Sequence, residues 1–409
     1  MKTFLSTLLM LAIALPGSAR AEVKLGNEVL AAGQFKALQG KRVGLLTNPS
    51  GVNRHLDSTI DVLRAAPGVK LVALFGPEHG VYGAAGAGDK VSDTVDARTG
   101  LPAYSLYGKT FRPTPEMLAG LDAMVYDLQD TGCRSYTFVS SMGVAMEACA
   151  EAGVEFVVLD RPDPLGGNRI EGPMLDPKFR SHVGYWNVPY VYGLTCGELA
   201  RMINGEGWIK KPCRLTVVPM KGWKRSMVWR DTDLPWVSSS PHVPHGDSAL
   251  FQVATGMLGE LYSVNTGIGY TLPFECIAAP GLDPHKFAEQ LNGYQLPGVR
   301  FYPITYKPYY FTFTNQAVGG VQIFFTDRAK APLTAINFYG YEALKKVAGR
   351  DLFAESVKAK RSVSMFDKVN GTDATRKALE AGTPAAEIVA AWKAGEEAFG
   401  KARKKYLLY

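Results

Sequence analysis

Between residues 41 and about 220 the chain alternates short apolar runs with stretches of helical period. Residues 43–47, 70–75, 103–107, 123–127, 155–160 and 215–219 read as strands. Their apolar positions are mostly continuous rather than alternating, which predicts strands covered on both faces. Residues 58–65, 115–119, 138–152 and 195–204 read as helices, the third ended by Gly153. Thr195 with Glu198 three residues on forms a capping box at the start of the fourth. Strands and helices in turn predict a doubly wound α/β domain with a parallel sheet and right-handed crossovers.

Residues 231–280 read as an extension of this domain, with a Pro/Ser loop at 238–244, a helix at 249–262 and a strand at 274–278. After Pro280-Gly281 the pattern changes. A helix at 285–291, strands at 299–310 and 318–325, a helix at 335–347 and several short helices predict a smaller α+β domain over 281–409. The expected organisation is therefore 1–21, 22–280 and 281–409.

Residues 1–21 carry a different signal. Lys2, an apolar run from Phe4 to Leu15, and Ala19-Arg20-Ala21 read as a secretory signal peptide cleaved after Ala21, which predicts a periplasmic or secreted protein. The run is too short to span a bilayer, and no second stretch of 18 apolar residues occurs, so no stable membrane span is expected after cleavage.

The composition, 46% hydrophobic and 20% charged over 409 residues, excludes a disordered chain and a coiled coil. The formal net charge of +7 is dispersed except near Lys401–Lys405, so no nucleic-acid partner is expected. Five cysteines form no C-x-x-C pair and are expected to be small buried hydrophobes, with at least one unpaired. Gly83-x-x-Gly86-x-Gly88 lacks dinucleotide-loop spacing, and neither a G-x-S-x-G elbow nor an H-E-x-x-H helix is present. His242-x-x-His245 is interrupted by Pro244 and preceded by Pro241, which prevents the helix that would align two metal-binding rings. No cofactor and no metal are expected.

Open α/β sheets bind ligands outside the carboxyl ends of their strands. Here those ends carry Asn48, then Glu78 and His79, then Asp127 and Asp130 followed by Arg134 and Tyr136, then Asp160 and Arg161. A carboxylic acid beside an apolar wall is harder to ionise and can donate a proton, and paired carboxylates across a cleft are the equipment of glycoside hydrolysis. Glu78 lies in a loop stiffened by Pro77 and Gly80, where an acid has little packing value. Asp127 and Asp130 are further carboxylates, and Arg134 and Arg161 could clamp an anion. Structural readings stand beside these: Asp160-Arg161 as an ion pair, Asp127 as a helix cap, and His79 as a partner of its own loop backbone.

Several of these segments carry a resemblance. Val43-Gly-Leu-Leu-Thr-Asn48, Phe75-Gly-Pro-Glu-His-Gly80, Ser105-Leu-Tyr-Gly108, Asp127-Leu-Gln-Asp130, Leu159-Asp-Arg-Pro162, Gly193-Leu-Thr-Cys-Gly-Glu-Leu-Ala200 and the terminal Tyr406-Leu-Leu-Tyr409 resemble the exo-acting N-acetylmuramidases, a family of peptidoglycan glycosidases. The resemblance implies a Rossmann-like domain with a smaller C-terminal domain and a cleft between them. It also implies removal of N-acetylmuramic acid from the non-reducing end of peptidoglycan fragments or muropeptides. Glu78 then matches the family's candidate acid, and Arg134 or Arg161 would suit the lactyl carboxylate. Asp127, Asp130 and Glu275 are candidates for a second group. One stretch departs: 265–275 has Ile268 and Leu272 where the family often has arginines, while Pro273, Phe274 and Glu275 are retained.

Overall fold

The computed structural model describes residues 22–409, and the leader expected over 1–21 lies outside them. Seven strands, β1 (Arg42–Thr47), β2 (Lys70–Gly76), β3 (Thr94–Val95), β4 (Pro102–Ser105), β5 (Ala123–Asp127), β6 (Glu155–Leu159) and β7 (Leu215–Val218), form one sheet in the order β3-β4-β2-β1-β5-β6-β7. All its neighbours pair in parallel except β3, a two-residue antiparallel edge on β4.

Successive side chains of these strands go to opposite faces, as the pleat requires. Val43, Leu45, Val125 and Val157 meet Leu30 and Leu63 from helices Gly26–Ala32 and Thr59–Ala65. Leu46, Tyr126, Phe156 and Val158 meet Met142 and Leu199 from helices Phe138–Ala152 and Cys196–Gly205. Each such aliphatic side chain contributes roughly 1.5–3 kcal/mol when fully buried. The second face is fixed further by the Thr195–Glu198 capping box, in which each side chain meets the other residue's backbone N–H.

β8 (Cys276–Ala279), β9 (Val299–Tyr306) and β10 (Val318–Phe325) form a second, antiparallel sheet in the order β8-β10-β9. Helices Ser248–Gly259, Pro284–Gly293 and Leu333–Ala348 cover one face of it. Residues 248–279 thus sit with the second sheet rather than extending the first, as the reading of 22–280 had them. A four-residue apolar strand looks the same in either sheet, and the partner of Cys276–Ala279 is β10, some forty residues later. The 281–409 segment also divides. Phe399 and Tyr406 return to the first domain's core, Leu408 N donates to Glu198, and the Tyr409 hydroxyl donates to Asp160 at 2.7 Å. All five cysteines are buried and unpaired.

Candidate active site

The carboxyl end of β2 turns sharply. Gly80 N donates to the Pro77 carbonyl, and His79 and Gly80 both take left-handed backbone, with φ of 71° and 78°. Glycine adopts that conformation freely, while a residue with a Cβ pays ~1–2 kcal/mol. His79 is held there by its ring, whose Nδ1 donates to the Ala85 carbonyl at 2.9 Å. A carbonyl can only accept, so the neutral ring keeps its lone pair on Nε2.

This turn buries Glu78, which is 9% exposed. Gly88 N donates to its Oε1 at 2.9 Å, and the Thr137 hydroxyl donates to Oε2 at 2.7 Å. Thr137 stands directly before helix Phe138–Ala152 yet does not cap it. The Tyr107 phenol lies near Glu78, and its pKa is pushed up to about 12, by burial first and then by the carboxylate. A carboxyl group has about four lone-pair sites, so these donors position it without filling it.

Two walls flank the glutamate. On one side the rings of Tyr107, Phe111 and His182 cluster in edge-on and tilted contacts, with centroids 4.8–5.4 Å apart. Burial lowers the His182 pKa against the opposing pull of Glu78, and its buried Nε2 has no protein partner. On the other side, the 238–245 loop carries His242, lowered by burial and by the neighbouring His79. His242 Nε2 lies 3.0 Å from the Tyr310 hydroxyl, which comes from the second domain. Tyr136 and Asn48 pin this loop: the Tyr136 hydroxyl meets Ser239 Oγ at 2.7 Å and Asn48 Nδ2 donates to the Ser239 carbonyl at 2.9 Å. Three residues beyond His242, His245 Nε2 meets Glu275 Oε1 at 3.2 Å. A cavity of about 240 Å³ opens beside His79, lined by Val81, Tyr82, Val91 and Tyr104.

The remaining residues expected at the site lie elsewhere. The sheet order reverses between β1 and β5, where a ligand crevice is expected. The protein's own side chains fill it. Asp127, fully buried, accepts from Arg161 Nε, Thr59 and Asn27, and Arg161 Nη2 donates to the Val52 carbonyl. Asp160 pairs not with the Arg161 side chain but with Thr195, Gly197 N and Tyr409. Arg134, 1% exposed, donates to the carbonyls of Pro173, Val188, Val369 and Asn370 and so ties the two domains together. Neither arginine is placed to clasp a substrate carboxylate. Ile268 is likewise buried, and Leu272 packs against the Cys276–Tyr306 cluster.

Asp130 is buried with Asp163. Gly132 N and Tyr192 donate to Asp130, whose pKa burial raises to about 6. Asp163 accepts from Leu165 N, and burial with the nearby Asp130 carries it to about 8. The folded-state pKa of Asp163 lies above the unfolded value of 3.8, so its contribution to stability is complete below that value and fades as pH rises through 8. Asp163→Asn cannot ionise. Denaturant titrations of this variant should lose the part of the pH slope that lies between about 4 and 8, with stability closest to native below pH 4; an unchanged slope would show that Asp163 is ionised throughout.

The structure thus joins Glu78, His79, Tyr136 and Asn48, with Glu275 on the facing wall, and sets Asp127, Asp130, Asp160, Arg134 and Arg161 into the scaffold. Thr137, His182, Ser239 and Tyr310 complete the site and carry no sequence motif. His182 could have been found only through its partner Tyr107, which lies in the recognisable Ser105–Gly108 segment.

A two-domain α/β fold with a buried carboxylate at a strand end, beside phenols and imidazoles, supplies the groups of an acid–base enzyme. The comparisons make it particular. Residues 43–247 match the model described as exo-beta-N-acetylmuramidase NamZ, N-terminal, and residues 251–409 match its C-terminal counterpart. The chain belongs to the NamZ family of exo-β-N-acetylmuramidases. It is 44% identical over 390 residues to the peptidoglycan beta-N-acetylmuramidase NamZ of Bacillus subtilis strain 168, covering 95% of this chain and 92% of that one. Among solved structures it resembles two DUF1343-family proteins of Bacteroides fragilis NCTC 9343. One has a TM-score of 0.87 at 47% identity, covering 95% of this chain and all of that one; the other has 0.77 at 30%, covering 95% and 99%. The two family models meet at 247–251, which coincides with the start of helix Ser248–Gly259.

Proposed function

We propose that this enzyme removes N-acetylmuramic acid from the non-reducing end of peptidoglycan fragments, outside the cytoplasm, after loss of the leader at 1–21. The observation that supports this most directly is the placement of Glu78, in a strained turn, oriented by donors from Gly88 and Thr137. In this reading Glu78 hands its proton to the glycosidic oxygen as the bond to the sugar breaks. Water then reaches the sugar carbon, directly or after the sugar's own 2-acetamido oxygen has attacked it. Gly88 N and the Thr137 hydroxyl hold the carboxyl in place.

The substrate end of the reading rests on the activity named for the Bacillus subtilis relative. The enzyme should cleave a chromogenic N-acetylmuraminide and spare the matching N-acetylglucosaminide. Cleavage of the glucosaminide alone would move the specificity to a sugar without the lactyl group, in line with the apolar Ile268 and Leu272. Cleavage of neither would remove the reading.

A further inference from the structure

The helices of the second domain cover one face of its sheet, and the other face is only half covered. At one end of it Tyr270 and Leu272 pack over Tyr306 and Cys276. At the other end the same face presents Gln322, opposite Tyr302, and Phe324, opposite Arg300. Tyr302 is 64% exposed and Phe324 45%, and their rings meet edge to face with centroids 6.4 Å apart. Their strand neighbours Phe301 and Ile323 already supply the core on the far face. With the core supplied from the far face, these two rings are free to meet a ligand.

A run of contacts leads from this strip toward the site. The 238–245 loop carries His242, whose Nε2 meets the Tyr310 hydroxyl, and His245, whose Nε2 meets Glu275. Glu275 Oε2 in turn accepts from Gln322 Nε2 at 3.2 Å, beside Tyr302. A row of imidazole, carboxylate, amide and phenol ending in two aromatic faces suits one kind of occupant. Ring hydroxyls of a sugar exchange hydrogen bonds with carboxylate and amide, and its C–H face, with positive hydrogens, lies on the negative face of an aromatic ring.

We propose that Tyr302, Phe324, Gln322 and Glu275 form a platform for the sugars that follow the one being removed, so that the enzyme favours long glycan strands over short fragments. This rests on the reading of Glu78 as the hydrolytic group.

The test compares the native enzyme with Tyr302→Ala and Tyr302→Ala/Phe324→Ala on a one-sugar chromogenic muraminide and on peptidoglycan glycans of two, four and eight sugars. In the native enzyme kcat/KM should rise with length. The double variant should lose about tenfold on the longest glycan, equivalent to ~1.4 kcal/mol, and change little on the one-sugar substrate. Equal losses on both, or no length dependence in the native enzyme, would overturn the platform. Calorimetric binding of the same glycans separates this result from failure of the hydrolytic reading. If nothing is turned over, a length-dependent affinity weakened in the double variant still supports the platform, and an unchanged affinity rejects it. A native dimer that the double variant dissociates, with glycan affinity unaltered, would assign the face to a second copy and reject the proposal.

Discussion

Glu78→Gln should reduce turnover of a muramic-acid glycoside by roughly 10²–10⁴-fold, the range general acid–base assistance supplies. The fold should tolerate the change. The amide oxygen can accept from Gly88 N, and the amide NH₂ can donate to the Thr137 hydroxyl, which rotates to accept. Both donors around the side chain therefore keep partners, and thermal stability should stay near native. Binding of an uncleaved fragment should persist, so that kcat falls while affinity measured by calorimetry holds. Thr137→Ala should give a smaller loss of kcat, because it loosens the carboxyl without removing it. Turnover by Glu78→Gln close to the native rate would take Glu78 out of the chemistry.

Much of this fold was legible because its strands are buried on both faces. β5 and helix Phe138–Ala152 fall on the residues the pattern predicts, since a continuous apolar run and an i, i+3, i+4 stripe need no tertiary information. The edge strand Thr94–Val95 was not legible, because two exposed residues carry no pattern. The division at residue 280 failed for the opposite reason: Cys276–Ala279 has the pattern of a strand but does not say which sheet it joins.

The site was legible to a similar depth. The rule of strand ends pointed to the polar residues, but it could not say which of them are taken up by the scaffold. That depends on which buried charges find each other. Asp127 and Arg161 are 34 residues apart, and Arg134 donates to carbonyls up to 236 residues away, which have no side-chain signature. Glu78 stood out because an acid in a loop fixed by Pro77 and Gly80 has little packing value; in the structure Gly88 N and the Thr137 hydroxyl donate to it.

The assignment of Asp127 and Arg161 to the scaffold carries the second large effect. Both are nearly inaccessible, at 0% and 3% exposure, and the guanidinium is the only cation that bonds the carboxylate among the described residues. Arg161→Met leaves a buried carboxylate with only Thr59 and Asn27 as donors, and should destabilise the enzyme by ~3–5 kcal/mol. Adding Asp127→Asn removes the unpaired charge while keeping an oxygen for those donors. The double variant should therefore recover a large part of the loss, although it carries more substitutions. Chemical denaturation of the three proteins measures this directly. At temperatures where each variant remains folded, kcat should change little, since neither side chain reaches Glu78 or the walls around it. A collapse of kcat in a variant of native-like stability would instead return Asp127 to the reaction and reopen the crevice between β1 and β5 as the place where substrate binds.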